Sequence, residues 1–140
     1  MKIKIAWIGK TRDPAIEALS GEYLKRLSRH AQGVAVKNEA ALLALSARHR
    51  LVLLDSAGKQ LSSEEFADFI GEHQARSGPP LLFAIGAADG FSAEARRAAS
   101  SVLSLGRITM PHELARVVLI EQVYRAFTIL NRHPYHIGHE

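Results

Sequence analysis

The chain has 140 residues, of which 47% are hydrophobic and 23% are charged, as expected for a globular protein with one full core. No apolar run is long enough to span a membrane, and the absence of cysteine excludes disulfides and thiolate metal sites and fits a cytoplasmic protein. The net charge of +4 favours a polyanionic partner such as nucleic acid.

Strand and helix patterns alternate along the first part of the chain: strand 2–8, helix 13–29, strand 34–37, helix 38–47 and strand 51–54. The first strand begins at once, so we expect no signal peptide. Asp13 and Pro14 are an N-cap and a first-turn proline that open the first helix. The apolar run Leu51–Leu54 is typical of a strand buried on both faces, and residues 55–59 predict its turn.

The second part of the chain continues the alternation: helix 62–74, strand 81–85, helix 92–101, strand 104–108 and helix 113–130. Ser62 and Glu65 have capping-box spacing, and residues 77–80 break the chain before the next strand. Strands that alternate with helices predict an α/β fold, with helices on both faces of a parallel sheet. We find no repeat or linker, and therefore expect a single domain over residues 1–140.

The final helix pattern, residues 113–130, is apolar nearly all round and has only a thin polar strip. A helix on a sheet needs one apolar face, so this helix is expected to be buried on a second side as well. Either the helix is central to its own domain, or a second subunit covers it. In a chain this small we favour a homodimer.

Ligands of open parallel sheets bind beyond the carboxyl ends of the strands, which here are residues 54–55, 86–90 and 108–112. Gly86 and Gly90 either let the backbone approach a ligand closely or form a tight turn. No dinucleotide-binding or P-loop glycine motif is present, and no nucleophile elbow. The edge predicts a small-molecule pocket that a dimer partner and a short polar tail close.

The tail carries titratable side chains. His133, His136 and His139 are spaced by three, but without acidic or cysteine companions we predict no metal site. Tyr135 and His136 are placed where a tail can fold over a pocket, and the alternative is a frayed terminus.

The run Met110–Ala126, followed by His133-Pro-Tyr-His136, closely resembles the ribosomal RNA large-subunit methyltransferase H family, a minimal branch of the SPOUT (trefoil-knot) methyltransferases. The resemblance extends over nearly the whole chain, including residues 2–10 and 22–26 and the pair Leu54-Asp55 with Gly58-Lys59. It implies methylation by S-adenosyl-L-methionine of N3 of a pseudouridine in large-subunit (23S) rRNA on the assembled ribosome. It also implies a knotted C-terminal half and a homodimer.

The resemblance further implies which residues act. The cofactor contacts are expected on eight residues of the loops at the strand ends: Leu54, Gly86, Leu105, Gly106, Arg107, Ile108, Thr109 and Met110. Tyr135 and His136 are the residues expected to hold or deprotonate the target base. Arg116 is expected to contact phosphate or the cofactor carboxylate.

Other readings rest on departures from the family. Ala87 stands where the family has a second glycine, and a positive φ there would cost about 1–2 kcal/mol. The alternative function is therefore a relative that binds rRNA or ribosomes with weakened or no methyl transfer. Methylation of tRNA or another RNA is a third reading, against which the lack of an appended RNA-binding domain argues.

Overall fold

The computed structural model describes residues 2–137, in which strands and helices alternate. The elements are β1 (Ile3–Ile8), α1 (Pro14–Arg26), β2 (Ala31–Val36), α2 (Glu39–Ser46), β3 (Arg50–Gln60), α3 (Ser63–Ala75), β4 (Leu81–Ile85), α4 (Ala93–Ala98), β5 (Ser101–Ser104) and α5 (His112–Leu130). Within residues 2–137, none of the helices is both long and apolar enough to cross a membrane.

The strands form one parallel sheet in the order β2-β1-β4-β3-β5. One face packs against α1, α3 and α5 around Phe83, Ile120 and Val123, and the other packs against α2 and α4 around Leu42 and Leu53. The predicted α/β fold with helices on both faces is confirmed. Because all the strands are parallel, their carboxyl ends meet at a single edge, where ligands of such sheets bind.

Local sequence signals fix the helix starts. Asp13 accepts a hydrogen bond from Ala15 N at 2.9 Å, with Pro14 at the first helical position. The capping box at α3 is present in full, since Glu65 N donates to Ser62 Oγ at 3.0 Å and Ser62 N donates to Glu65 Oε1 at 2.8 Å. These reciprocal bonds satisfy N–H groups that a helix start otherwise leaves unpaired.

The prediction of a turn over residues 55–59 is wrong, because β3 continues to Gln60. Its pairing with β5 shifts between Leu54 and Lys59, so the segment is an irregular extension of the strand. A Cβ on Gly58 would lie 2.6 Å from the carbonyl carbon of Leu103. The glycine therefore permits a close approach of the two backbones. From the sequence alone, the same glycine was interpreted as part of a turn.

The prediction of a strand over residues 104–108 is also wrong, because β5 spans Ser101–Ser104 and α4 ends at Ala98. Ser104 ends the strand by bonding to the backbone of Gly106, which has a φ of 135°. The segment between Leu105 and Pro111 is therefore a loop. The segment predicted as a strand is instead a loop that forms one wall of the cavity described below.

Helix α5 lies in the middle of its layer, with α1 and α3 packed against it. Leu119, Ile120 and Val123 are fully buried, whereas Leu114 and Leu130 remain 42% and 38% exposed. Neighbouring helices of the same chain thus cover much of the apolar surface from which a second subunit was predicted.

Candidate active site

A cavity of about 580 Å³ opens at the carboxyl edge of the sheet, within the size range of small-molecule pockets. Its walls come from the ends of β3 and β4, the loop after β5 and the first turn of α5. The lining residues are Leu54, Asp55, Ser56, Ile85, Gly86, Ala87, Ala88, Gly90, Phe91, Leu105, Gly106, Ile108, Thr109, Met110, Pro111, His112 and Ala115. The surface is mainly apolar side chains and backbone, which suits an aromatic or thioether-bearing ligand.

The wall after β4 is a tight turn. Gly90 has a φ of 80°, and its N–H donates to Ala87 O at 2.9 Å. A Cβ on Gly86 would lie 3.1 Å from Cζ of Phe91, so this glycine makes room for the Phe91 ring. The tight-turn interpretation of the two glycines therefore fits the geometry, and Phe91 is the packing partner that the sequence did not reveal.

Ala87 carries no backbone strain. Among residues 2–137, Arg132 is the one non-glycine residue with positive φ, so Ala87 lies in an ordinary conformation. The energetic argument for a weakened relative, which required positive φ at this position, does not apply. Ala87 does line the cavity, where its methyl group adds apolar surface.

The wall after β5 is shaped by Ser104, a buried residue that the sequence analysis did not single out. Its Oγ donates to Gly106 O at 2.8 Å and accepts from Gly106 N at 3.0 Å. Gly106 has a φ of 135°, and nothing lies within 4 Å of the position that a Cβ would occupy. The glycine is required by its backbone conformation. The sequence signal for this turn is a serine two residues before a glycine, because serine hydroxyls often bond to nearby backbone groups in turns.

Of the eight residues on which cofactor contacts are predicted, all except Arg107 line the cavity. Arg107 is exposed beside it. The topology thus brings together Leu54 from β3, Gly86 from β4 and the loop after β5. Their contacts with a cofactor stay a prediction.

Asp55 places a negative charge at the rim of the cavity. Its carboxylate accepts from Ala57 N at 2.8 Å and pairs with Arg96 of α4. The backbone N–H of Ala57 and then the guanidinium of Arg96 hold the pKa of Asp55 below its usual range, against the opposing effect of burial. Asp55 is therefore an anionic acceptor at neutral pH.

Arg116 lies one turn into α5, with 2% of its surface exposed, and is not among the cavity-lining residues. Nη2 donates to Ile8 O at 2.9 Å and Nη1 to Thr11 Oγ1 at 3.1 Å, so it holds the loop that joins β1 to α1. Burial lowers the pKa of Arg116, and nearby Glu113 opposes that effect. Its predicted contact with phosphate or carboxylate stays a prediction.

Tyr135 lies against the middle of α5. Its hydroxyl donates to Glu121 Oε2 at 2.8 Å and lies 3.2 Å from the hydroxyl of Tyr23, and its ring meets Tyr124 edge-on. Burial, together with these hydrogen bonds, raises the pKa of Tyr135 above its usual range. In this arrangement Tyr135 is a hydrogen-bond donor at neutral pH and cannot serve as the base.

His136 is held beside Tyr135. Its Nδ1 lies 2.7 Å from Nη1 of Arg125, and because arginine only donates, Nδ1 must accept. The ring hydrogen therefore sits on Nε2, which lies 3.7 Å from Glu64 Oε2. With its one lone pair engaged by Arg125, His136 has to leave this contact before it can take a proton.

The structure does not bring the tail to the cavity of its own chain, since none of residues 133–137 lines it. Ala115 lines the cavity, whereas Arg125 holds the tail ten residues further along α5, which corresponds to ~15 Å. His133 Nδ1 accepts from Tyr135 N at 3.1 Å, and His139 lies outside the described residues. Among residues 2–137, no three His, Asp or Glu side chains converge as a metal site requires.

Comparison with known proteins is consistent with this geometry. Residues 1–136 match the family described as "Predicted SPOUT methyltransferase". The chain is 52% identical to the Ribosomal RNA large subunit methyltransferase H of Koribacter versatilis, over 99% of this chain and 100% of that protein. It is 42% identical to the protein of the same name from Trichlorobacter lovleyi, over 97% of this chain and 99% of that protein.

Two solved structures share the fold at low sequence identity. A methylase family protein from Haemophilus influenzae superposes with a TM-score of 0.60 and 11% identity, over 97% of this chain and 69% of that one. A methyltransferase from Legionella pneumophila in complex with S-adenosylmethionine superposes with a TM-score of 0.51 and 15% identity, over 91% of this chain and 66% of that one.

Proposed function

Because the chain belongs to the SPOUT methyltransferase family, we propose that it transfers a methyl group from S-adenosyl-L-methionine to large-subunit ribosomal RNA in the cytoplasm. The observation that carries this proposal is the full-length similarity to proteins named for that activity, together with a cavity at the matching strand ends. The finer assignment, also a proposal, is N3 of a pseudouridine in 23S rRNA on the assembled ribosome.

The residues of the cavity fit this cofactor. Leu54, Leu105 and Met110 supply apolar surface for an adenine ring and a thioether chain. The backbone groups of the loops at Gly86 and Gly106 supply donors and acceptors for the edges of the ring. Asp55, ionised at the rim, is a suitable acceptor for a hydroxyl or ammonium group of the ligand.

The bound cofactor supplies an electrophilic methyl group, whose bond to sulfur breaks with the electron pair left on sulfur. The protein has to align the acceptor nitrogen with that bond and accept the proton that the nitrogen loses. His136 takes the proton on a nitrogen lone pair once Arg125 releases it. Tyr135, protonated at neutral pH, donates a hydrogen bond to the base or stacks on it.

The separation between cavity and tail supports a homodimer in which the tail of one subunit reaches the cavity of the other. Ile108 is 82% exposed at the mouth of the cavity, and Ile137 is 72% exposed on the tail. Apolar side chains exposed at these two places fit contact with a partner subunit. The proposal includes the trefoil knot of the C-terminal half that the family resemblance implies.

The test of the function is transfer of labelled methyl from S-adenosyl-L-methionine to 70S ribosomes, large subunits and naked rRNA, each from cells lacking this protein. We expect label on a pseudouridine in ribosomes and little in naked rRNA, since so small a protein needs a preformed surface. Label in none of the acceptors, with a folded protein in hand, would favour a binding-only relative.

The shared site has its own test, which mixes two inactive proteins. A variant with a defective cavity, Gly106→Val, and a variant with a defective tail, His136→Ala, are expected to regain activity when they are co-expressed. The mixed dimer then contains one cavity and one tail that are both intact. Activity that stays absent in a purified mixed dimer would mean that each chain uses its own tail.

A further inference from the structure

Three exposed cations follow the carboxyl ends of β1, which neighbours the cavity strand β4, and of β2, which lies beyond β1. Lys10 and Arg12 follow β1, and Lys37 follows β2. We call these three residues the basic edge. Strand β1 pairs with β4 through Trp7 and Ile85, so the chain after β1 emerges one strand spacing, ~4.8 Å, from the Gly86 wall of the cavity.

The two loops of the basic edge are tied together and to β1. Gly9 N donates to Val36 O at 2.9 Å, which fixes the end of β1 against the end of β2. Lys37 follows that carbonyl directly, so it lies beside Lys10 at the same sheet edge.

The loop that carries Lys10 and Arg12 is also fixed to the first turn of α5. Glu113 Oε1 accepts from Arg12 N at 3.0 Å and from Asp13 N at 3.1 Å. The guanidinium of Arg116 donates to Ile8 O and to Thr11 Oγ1. The same helical turn lines the cavity through His112 and Ala115. The loop with Lys10 and Arg12 and the cavity therefore lie on adjacent sides of one helix, ~10 Å in diameter.

The side chains of the basic edge are available to an anionic ligand. Within residues 2–137, Lys10, Arg12 and Lys37 form no ion pair. The carboxylates nearest to them bind other groups. Asp13 caps α1, Glu39 binds Ser92, and Glu113 accepts from the backbone N–H groups of residues 12 and 13. Exposed cations on loops whose backbone is fixed, and which form no such pair, suit a diffuse anion such as a phosphate chain.

We propose that the basic edge binds the sugar–phosphate backbone of the RNA acceptor beside the nucleotide that meets the bound cofactor at the mouth of the cavity, an assignment that rests on the proposed function. A cofactor carboxylate fits less well, because none of the three cations lines the cavity and they are spread over two loops. Phosphate contacts position an RNA without reading its sequence, and base recognition is left to the cavity and the tail.

The test replaces the three cations together, as Lys10→Ala/Arg12→Ala/Lys37→Ala. The matched control, Lys2→Ala/Arg48→Ala/Arg76→Ala, removes three exposed cations that precede β1, β3 and β4 at the opposite edge, and so changes the net charge equally. The readouts are the acceptor KM for ribosomes at several salt concentrations, the Kd for S-adenosyl-L-methionine, and direct ribosome binding by sedimentation.

We expect the first variant to raise the acceptor KM about tenfold and to reduce the slope of log KM against log salt by about two, the result of losing two to three phosphate contacts. The Kd for the cofactor and all values of the control are expected to match wild type. An unchanged acceptor KM and slope would overturn the proposal, and a weakened cofactor Kd would instead assign the cations to the cofactor.

The experiment distinguishes failure of the proposed methyl transfer from failure of the basic edge as an RNA surface. If the wild-type protein methylates no acceptor, the sedimentation arm still compares ribosome binding by the two triple variants. Loss of binding in the first variant alone would support the basic edge as an RNA surface without catalysis. Equal binding by both variants would overturn the proposal.

Discussion

The cavity, where the cofactor is proposed to bind, and the C-terminal tail, which carries two of the proposed catalytic residues, are built in opposite ways. The cavity consists of backbone and apolar side chains from three segments that parallel strands gather at one edge. The tail presents polar side chains that bind those of α5, with Tyr135 on Glu121 and His136 on Arg125. The first is an open binding site, and the second is a closed hydrogen-bond network.

This contrast indicates a division of labour within the fold. A single chain forms the walls of the proposed cofactor pocket by itself, because its strand order already places them side by side. The same chain keeps Tyr135 and His136, the residues proposed to hold and deprotonate the base, ~15 Å away and bonded to side chains of α5. Binding is therefore expected to survive changes in the tail, and transfer is expected to need both regions.

The largest expected effect comes from the tail. His136→Ala removes the proposed proton acceptor, so methyl transfer is expected to fall by about 100-fold or more. The Kd for S-adenosyl-L-methionine, measured by calorimetry, is expected to stay within about twofold, since His136 does not line the cavity.

The matched control is His49→Ala, a half-buried histidine just after α2 whose ring Nδ1 lies 2.8 Å from the carbonyl oxygen of Leu45. It is expected to transfer at the wild-type rate. Equal loss of transfer in both variants, or loss of cofactor binding in His136→Ala, would break the contrast between tail and cavity.

An intermediate effect comes from the cavity wall. Gly106→Ala forces an alanine into a φ of 135°, which is expected to cost about 1–2 kcal/mol and to weaken cofactor binding about tenfold. Gly21→Ala is the matched control, because Gly21 also has open space at its Cβ position but lies inside α1 without positive φ. The control is expected to stabilise the protein by about 0.5–1 kcal/mol and to bind the cofactor normally.

Calorimetry and urea unfolding of the two glycine variants measure these effects. If Gly106→Ala binds the cofactor as tightly as Gly21→Ala does, then the loop after β5 does not shape the pocket.

The smallest effect is on acid stability. The pKa of Asp55 is lowered in the folded protein, so its carboxylate stabilises the fold above its ordinary pKa, and this contribution is lost as the pH falls below about 4. Asp55→Asn is expected to lower the free energy of unfolding by about 1 kcal/mol at pH 7 and to make its decline in acid shallower.

Urea midpoints between pH 7 and pH 3 measure this dependence, with Asp68→Asn as the control because Asp68 is an exposed residue of α3. The same pH slope in Asp55→Asn and wild type would show that the Ala57 and Arg96 contacts do not act on Asp55 in solution.

Most of the fold was predictable because its signals are local. Asp13, Ser62 and the run Leu51–Leu54 specify two helix starts and a central strand by capping and burial alone. The misassigned segments around Gly58 and Ser104 depend on distant partners. The backbone of Leu103 leaves no room for a side chain at Gly58. The pattern of residues 104–108 gave no sign that Ser104 ends the strand by bonding to the backbone of Gly106.

The site divides in the same way. The location of the cavity was predictable because strand ends in a parallel sheet converge regardless of side-chain detail, and seven of the eight residues that the resemblance named line it. The placement of Arg116 under the β1–α1 loop, and of His136 on Arg125, was not predictable. The first contact joins segments that lie far apart in the sequence. The second forms because the chain reverses after α5 and returns along that helix.

The sequence by itself determined the order of the elements, the parallel sheet and the family to which the chain belongs, since periodicity, caps and motifs are properties of short segments. Only the tertiary structure decided which polar groups are free and which are engaged. Hydrogen bonds of side chains form between whatever atoms the packed chain brings within about 3 Å, and that selection depends on all the elements at once.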